Sequence, residues 1–192
     1  VLDLRNNTGG EDRWVNKFLN ALYGKEYVDH ELYEYRKRGV RTWRVSAENY
    51  MYVKEKEAVT HINGFKKLLN KKEGLFTELA PASSTFQIGT SKIDPRLTRV
   101  YVLTDPWTNG SALLFLDQLY LLGNVIHIGR STSGETPFAE TRQEVLSDHL
   151  ITLNFPIMIR HNLTRESNEV YEPRFKFRGR IKDIAGIQKW LL

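Results

Sequence analysis

Two short stretches carry residue types suited to acyl-transfer chemistry. In TDPWTNGSALLFLDQLYLLG, which begins at Thr104, a polar Asn109-Gly110-Ser111 turn opens onto a run so apolar that it must be buried. A serine at a helix start either caps the helix or is a nucleophile held at the positive end of the helix dipole. In RNNTGG, which begins at Arg5, Gly9 and Gly10 offer backbone N–H groups unobstructed by side chains. Such donors stabilise an oxyanion, but a Gly-Gly pair alone is equally a tight turn. Each motif gains meaning only if the other reaches the same place.

The flanking elements give them that opportunity. Residues 99–103 (RVYVL) are β-branched and aromatic, lie between Asp94-Pro95 and Asp105-Pro106, and read as a strand. From Ser111 to Leu122 the strongly polar side chains are Asp117 and Gln118, which predicts a helix covered on most sides and ended by Gly123-Asn124. Residues 125–128 (VIHI) follow as a buried strand. Two strands joined through a helix run parallel, with a right-handed crossover. The chain start repeats the plan with a strand over 1–4, the Gly9-Gly10 loop, and a helix carrying Trp14, Val15, Phe18, Leu19 and Leu22 along one face. In one parallel sheet both loops emerge at the carboxyl edge, where open α/β sheets hold their ligands.

The remaining segments frame this unit. Residues 24–94 are too long for an ordinary connection and read as an insertion, with a strand at 50–53, a helix at 58–69, a loop at 80–84 and a strand at 85–88. Residues 150–160 (LITLNFPIMIR) suggest a strand with Pro156 near an edge or bend. A short helix is expected over 181–192. The 192 residues accommodate one domain with this insertion, and the first residue, Val rather than Met, suggests the C-terminal part of a longer protein.

Composition narrows the chemistry. Apolar content of 41% and charged content of 27% suit a globular domain. No stretch approaches the roughly 20 apolar residues of a membrane span. With no cysteine, thiolate catalysis and disulfides are excluded. The five histidines, at 30, 61, 127, 149 and 161, show no close metal-ligand pairing, so neither a metal nor another cofactor is expected. The net charge of +5 is concentrated in Arg36, Lys37, Arg38, Arg41 and Arg44 and in Lys66, Lys67, Lys71 and Lys72. Interleaved with Tyr33, Tyr35 and Trp43, the first run suits single-stranded nucleic acid or an acidic surface. A solvated face is the commoner meaning, and nucleic acid is not the expected partner.

Four segments in order resemble the carboxyl-terminal-processing, or tail-specific, serine peptidases, the family that includes the tricorn core and the retinoid-binding-protein-like repeats. VLDLRNNTGG resembles the family's D-L-R-x-N-x-G-G signature, and VYVLTDPWTNGSALLFLDQL its nucleophile strand and helix. NVIHIGRSTSG is similar to the Gly-Thr-Gly segment through Gly129, Thr132 and Gly134, and YEPRFKF with KDIAGIQKWLL more loosely to the Val-x-Pro-Asp strand and closing helix. The resemblance implies a crotonase-like or ClpP-like α/β core, a largely parallel sheet flanked by helices. It implies a serine endopeptidase in which Ser111 attacks a peptide carbonyl, with an oxyanion hole from the N–H groups of Gly9 or Gly10 and of Ala112. It also suggests an extracytoplasmic location, a peptide or protein substrate, and partner domains upstream in the same chain.

The general base is where the sequence departs from the family. One branch uses a Lys after the second glycine of the T-x-G segment, but Glu135 stands there. The tricorn-like branch uses a His upstream of the D-L-R strand, which would precede Val1, and an acidic residue ahead of the Val-x-Pro strand, matched here by Glu166 with Glu169 next. His127, mid-strand, is a core histidine or a substitute base; Glu135, Glu166 and Glu169 are surface carboxylates unless recruited. The alternative function is a non-catalytic peptide- or ligand-binding module on the same fold.

Overall fold

The computed structural model describes residues 1–55, 76–77, 80–81, 99–177 and 183–191. The chain divides into two compact units, one of Val1–Tyr33, Gln87–Thr136 and Thr164–Leu192, the other of Glu34–Phe86 and Pro137–Leu163.

The first unit is α/β. Its sheet contains β1 (Leu2–Asp3), β4 (Val100–Thr104), β5 (Val125–Gly129) and β8 (Phe175–Lys176), in the order β1-β4-β5-β8. Every pairing is parallel: Leu2 faces Val102, Val102 faces His127, and Ile128 faces Phe175. Alternation along β4 sends Val100 and Val102 into one core and Leu103 into another. The first core holds Val15 and Leu19 of α1 (Asp12–Tyr23), Val28 of α2 (Lys25–Glu31), Leu32, and Leu113, Leu116 and Leu119 of α5 (Ser111–Leu122). On the other face Leu103 and Ile128 meet Phe177 and Ile187 of α6 (Ile184–Leu191). A parallel sheet covered on both faces explains why VYVL and VIHI carry near-continuous apolar runs.

Two expectations shift within this unit. The buried face of α1 is Val15, Leu19 and Tyr23, while Trp14, Phe18 and Leu22 are 57%, 41% and 37% exposed. Apolar residues at 14, 15, 18, 19 and 22 span an arc wider than one contact face, and the row spaced by four from Val15 enters the first core. Residues 25–32, read as the start of the insertion, contribute Val28 and Leu32, both fully buried, to the first core.

The second unit begins within α3 (Tyr33–Arg38) and has an antiparallel sheet of order β3-β2-β7-β6, from β2 (Val40–Trp43), β3 (Ala80–Pro81), β6 (Phe138–Val145) and β7 (Thr152–His161). Its core is Trp43, Val45, Val53, Ile157 and Met158. The strand expected at 50–53 is instead inside helix α4 (Ala47–Glu55). The Ser46 hydroxyl accepts the Asn49 N–H at 3.1 Å, and this N-terminal capping outweighs the β propensity of Tyr50-Met51-Tyr52-Val53. Pro156 lies in β7 opposite Thr141, and the Thr141 carbonyl, denied a ladder donor there, has the Tyr52 hydroxyl 3.0 Å away. Trp43 of the basic and aromatic run is 4% exposed and belongs to the core. The helix expected at 58–69, the strand expected at 85–88 and the second lysine group lie outside the described residues.

Leu116 is fully buried in the first core and Leu121, on the same helix, is 47% exposed. Leu116→Ala is expected to lower the unfolding free energy in urea by about 2–5 kcal/mol, whereas Leu121→Ala should change it by about 0.5 kcal/mol or less.

Candidate active site

Adjacent parallel pairing of β1 and β4 delivers the loops after both strands to one edge of the sheet, and a set of hydrogen bonds ties them together there. The Leu4 N–H bonds the Leu103 carbonyl at 2.9 Å, one step beyond the ladder, and the Asn109 N–H bonds the Asn7 carbonyl at 2.9 Å. The Asp105 carboxylate, 1% exposed, accepts the Asn6 N–H from one loop and the Trp107 N–H from the other, both at 3.0 Å. The Thr108 hydroxyl donates to the Leu4 carbonyl at 2.9 Å and accepts the Asp105 N–H at 3.1 Å.

Backbone then meets backbone. A Cβ on Gly9 would lie 2.8 Å from the Ser111 nitrogen, and one on Gly110 would lie 2.9 Å from the Thr8 carbonyl oxygen. Both residues also have positive φ, +104° and +58°, which a side chain would oppose. The glycines are thus required by the approach of the two turns, which brings Ser111 beside Gly10.

Ser111 is the first residue of α5, and its N-cap is Gly110, which lends no side chain to the task. The Ser111 hydroxyl turns to the other loop instead, with Oγ 2.6 Å from the Gly10 carbonyl oxygen and 2.6 Å from Asp12 Oδ1. Of the donors expected to form an oxyanion hole, the Gly9 N–H bonds Asn7 Oδ1 at 3.0 Å and the Ala112 N–H bonds the Asn109 carbonyl at 3.1 Å. Gly10 presents its carbonyl to the serine. Asp12 escaped the sequence reading because a carboxylate in the first turn of a helix is favoured by the helix dipole and needs no other explanation. Its position two residues after the Gly-Gly pair was the available signal.

The other carboxylates separate into two groups. Glu166 is exposed, and its N–H bonds the Glu169 carboxylate at 2.8 Å, so the turn organises itself; the acid that meets Ser111 is Asp12. Glu135, expected at the surface, is 2% exposed because Arg165 pairs with it. The same guanidinium bonds Asp117 of α5 at 3.0 Å and lies 4.3 Å over the Tyr171 ring, whose hydroxyl donates to Asp117 Oδ1 at 2.5 Å. Burial, followed by the charge of Asp117, holds the Tyr171 phenol well above its ordinary range. Burial acts against the charged form of Arg165, but Asp117 and Glu135 outweigh it and keep the guanidinium charged. Ser133, on the segment after β5, is tied to the loop that leads into Ser111, with its N–H and hydroxyl 3.1 Å and 2.9 Å from the Thr108 carbonyl.

His127 is 1% exposed and both ring nitrogens are occupied. The Thr104 hydroxyl donates to the Arg130 carbonyl at 2.7 Å, so at 2.6 Å it accepts from Nε2–H. Nδ1 therefore accepts from the Tyr120 hydroxyl at 2.8 Å. This is a satisfied core histidine, and burial lowers its pKa to about 4.

Among the described residues no group of three or more His, Cys, Asp and Glu is placed to hold a metal ion, and no helix is long and apolar enough to cross a membrane. Neither family models nor curated proteins match the chain. Among solved structures it is similar to a lipoprotein from Streptococcus agalactiae, with a TM-score of 0.41 and 16% identity, covering 99% of this chain and 53% of that one. The chain thus spans about half the length of that protein.

His127 gives the site's surroundings a pH signature. With a folded pKa of about 4 against an ordinary 6.5, the unfolded chain binds the extra proton between these values. Stability is therefore whole above about pH 6.5 and falls on acidification toward pH 4, by up to about 3 kcal/mol. Urea midpoints measured from pH 7.5 to 4.5 should show this slope in the native sequence and a flatter one in His127→Gln.

Proposed function

We propose that the chain is the catalytic core of a serine endopeptidase, on a crotonase-like variant of the α/β fold, with Ser111 as the nucleophile. The observation that carries the reading is the convergence of the Ser111 hydroxyl with the Gly9-Gly10 turn at the carboxyl edge of the parallel sheet. A serine that served only as a cap would bond its own helix; this one reaches across to the neighbouring loop. The resemblance of four ordered segments to the tail-specific peptidases supports the same chemistry. It also supports a peptide or protein substrate and an extracytoplasmic location.

Catalysis on this reading requires one local change. As the glycine turn rotates, the Gly9 and Ala112 N–H groups exchange Asn7 Oδ1 and the Asn109 carbonyl for the developing oxyanion. Glycine at positions 9 and 10 lowers the barrier to such rotation. Each donor aimed at the tetrahedral intermediate contributes about 3 kcal/mol. The occupied donors equally favour a second reading, a binding module on the same fold that holds peptide without turnover.

Peptide cleavage separates the two. The native chain is expected to cleave an unstructured protein such as casein, and Ser111→Ala to reduce the rate by at least about 10³-fold with unchanged unfolding behaviour. Cleavage that survives in Ser111→Ala removes the peptidase assignment; binding of the same substrate without any cleavage by the native chain favours the module.

A further inference from the structure

We propose that Asp12 is the general base for Ser111, so that one chain carries a serine–carboxylate dyad; this rests on the peptidase reading above. The family resemblance points to a base from elsewhere in a longer protein, but the structure already sets a proton acceptor against the nucleophile. Asp12 Oδ1 lies 2.6 Å from Ser111 Oγ, within the reach required of a base in a resting enzyme. The hydroxyl has a single proton and two acceptors at that distance, Asp12 Oδ1 and the Gly10 carbonyl oxygen. Of these, only the carboxylate becomes a stable neutral acid by taking the proton. The substitute base considered from the sequence, His127, has both ring nitrogens engaged by Thr104 and Tyr120.

The placement of Asp12 is built by both loops. α1 starts directly after the Gly-Gly turn, so its first residue faces the turn's partner rather than the sheet. Its neighbours Glu11 and Arg13 pair with each other on the exposed side. A carboxylate in a first helical turn is favoured by the dipole in any case, but the dipole asks nothing of a serine on another helix. The step balances within the dyad and its substrate. As the Ser111 Oγ–carbon bond forms, the Oγ–H bond breaks and the proton passes to Asp12 Oδ1, while the carbonyl π pair moves to oxygen. As the oxyanion collapses, the carbon–nitrogen bond breaks and Asp12 returns the proton to the departing amine. Water then repeats the sequence on the ester, with Asp12 accepting its proton.

The test is the rate at which a fluorophosphonate probe modifies Ser111 in this chain, followed by intact-mass and peptide mass spectrometry, with circular dichroism and urea unfolding as controls. The native chain is expected to label at Ser111, Asp12→Asn to label about 10²–10⁴-fold more slowly at nearly unchanged stability, and Ser111→Ala not to label. If Asp12→Asn folds poorly, Asp12→Ala with added formate replaces it: acceleration by formate supports the dyad, and a formate-independent rate overturns it. Labelling of Asp12→Asn at the native rate overturns Asp12 as base while leaving Ser111 a nucleophile. A folded native chain that never labels overturns the dyad together with the peptidase reading.

Discussion

The Asp105 carboxylate is the interaction on which the candidate site depends. It is buried, and a buried carboxylate is tolerable only where donors replace its water. The donors are the Asn6 N–H of one loop and the Trp107 N–H of the other. One side chain thereby satisfies backbone groups from two segments about a hundred residues apart in sequence. With Thr108 bridging from the same loop to the Leu4 carbonyl, the loops are held at a separation that admits no side chain between Gly9 and Gly110. The glycines, the orientation of Ser111 and the Asp12 contact all follow from that separation.

Behind the loops, a second polar cluster holds the helix that carries Ser111. Arg165 joins Asp117 on α5 to Glu135 on the segment after β5, and Tyr171 lies beneath the guanidinium and bonds the same aspartate. Ser133, two residues before Glu135, reaches the Thr108 carbonyl. The loop that leads into Ser111 is thus tied through Asp105 and Thr108 to the neighbouring loop, and the helix that carries Ser111 through Asp117 to Arg165. Two carboxylates and a phenol around one guanidinium form a network in which removing a single member strands the others, so its value lies in specifying one arrangement rather than in raw stability.

Much of the parallel unit was legible because its physics is local. β4, α5 and β5 are short, strongly apolar and bounded by Pro, Gly and Asn, and their order dictates parallel pairing. The meeting of the Gly9-Gly10 and Asn109-Gly110-Ser111 turns followed from that topology. What escaped depended on partners remote in sequence. Glu135 and Arg165 look like surface charges until the fold pairs them. The buried row of α1 was ambiguous because five apolar positions fit more than one face. Residues 50–53 have β propensity, and a single capping hydroxyl at Ser46 tips them into a helix. Asp12 was invisible for a different reason: its position already had an ordinary explanation.

The two loops, if they form one site around Ser111, must together hold a tetrahedral adduct. The most direct measurement is a crystal structure of the chain after reaction with a phosphonate that mimics the tetrahedral intermediate. The expected adduct has phosphorus bonded to Ser111 Oγ and its phosphonyl oxygen within about 3 Å of N–H groups from the glycine turn and from Ala112, the reach of an oxyanion hole. A phosphonyl oxygen facing solvent, with the Gly9 N–H still on Asn7 and the Ala112 N–H still on Asn109, would contradict a shared site.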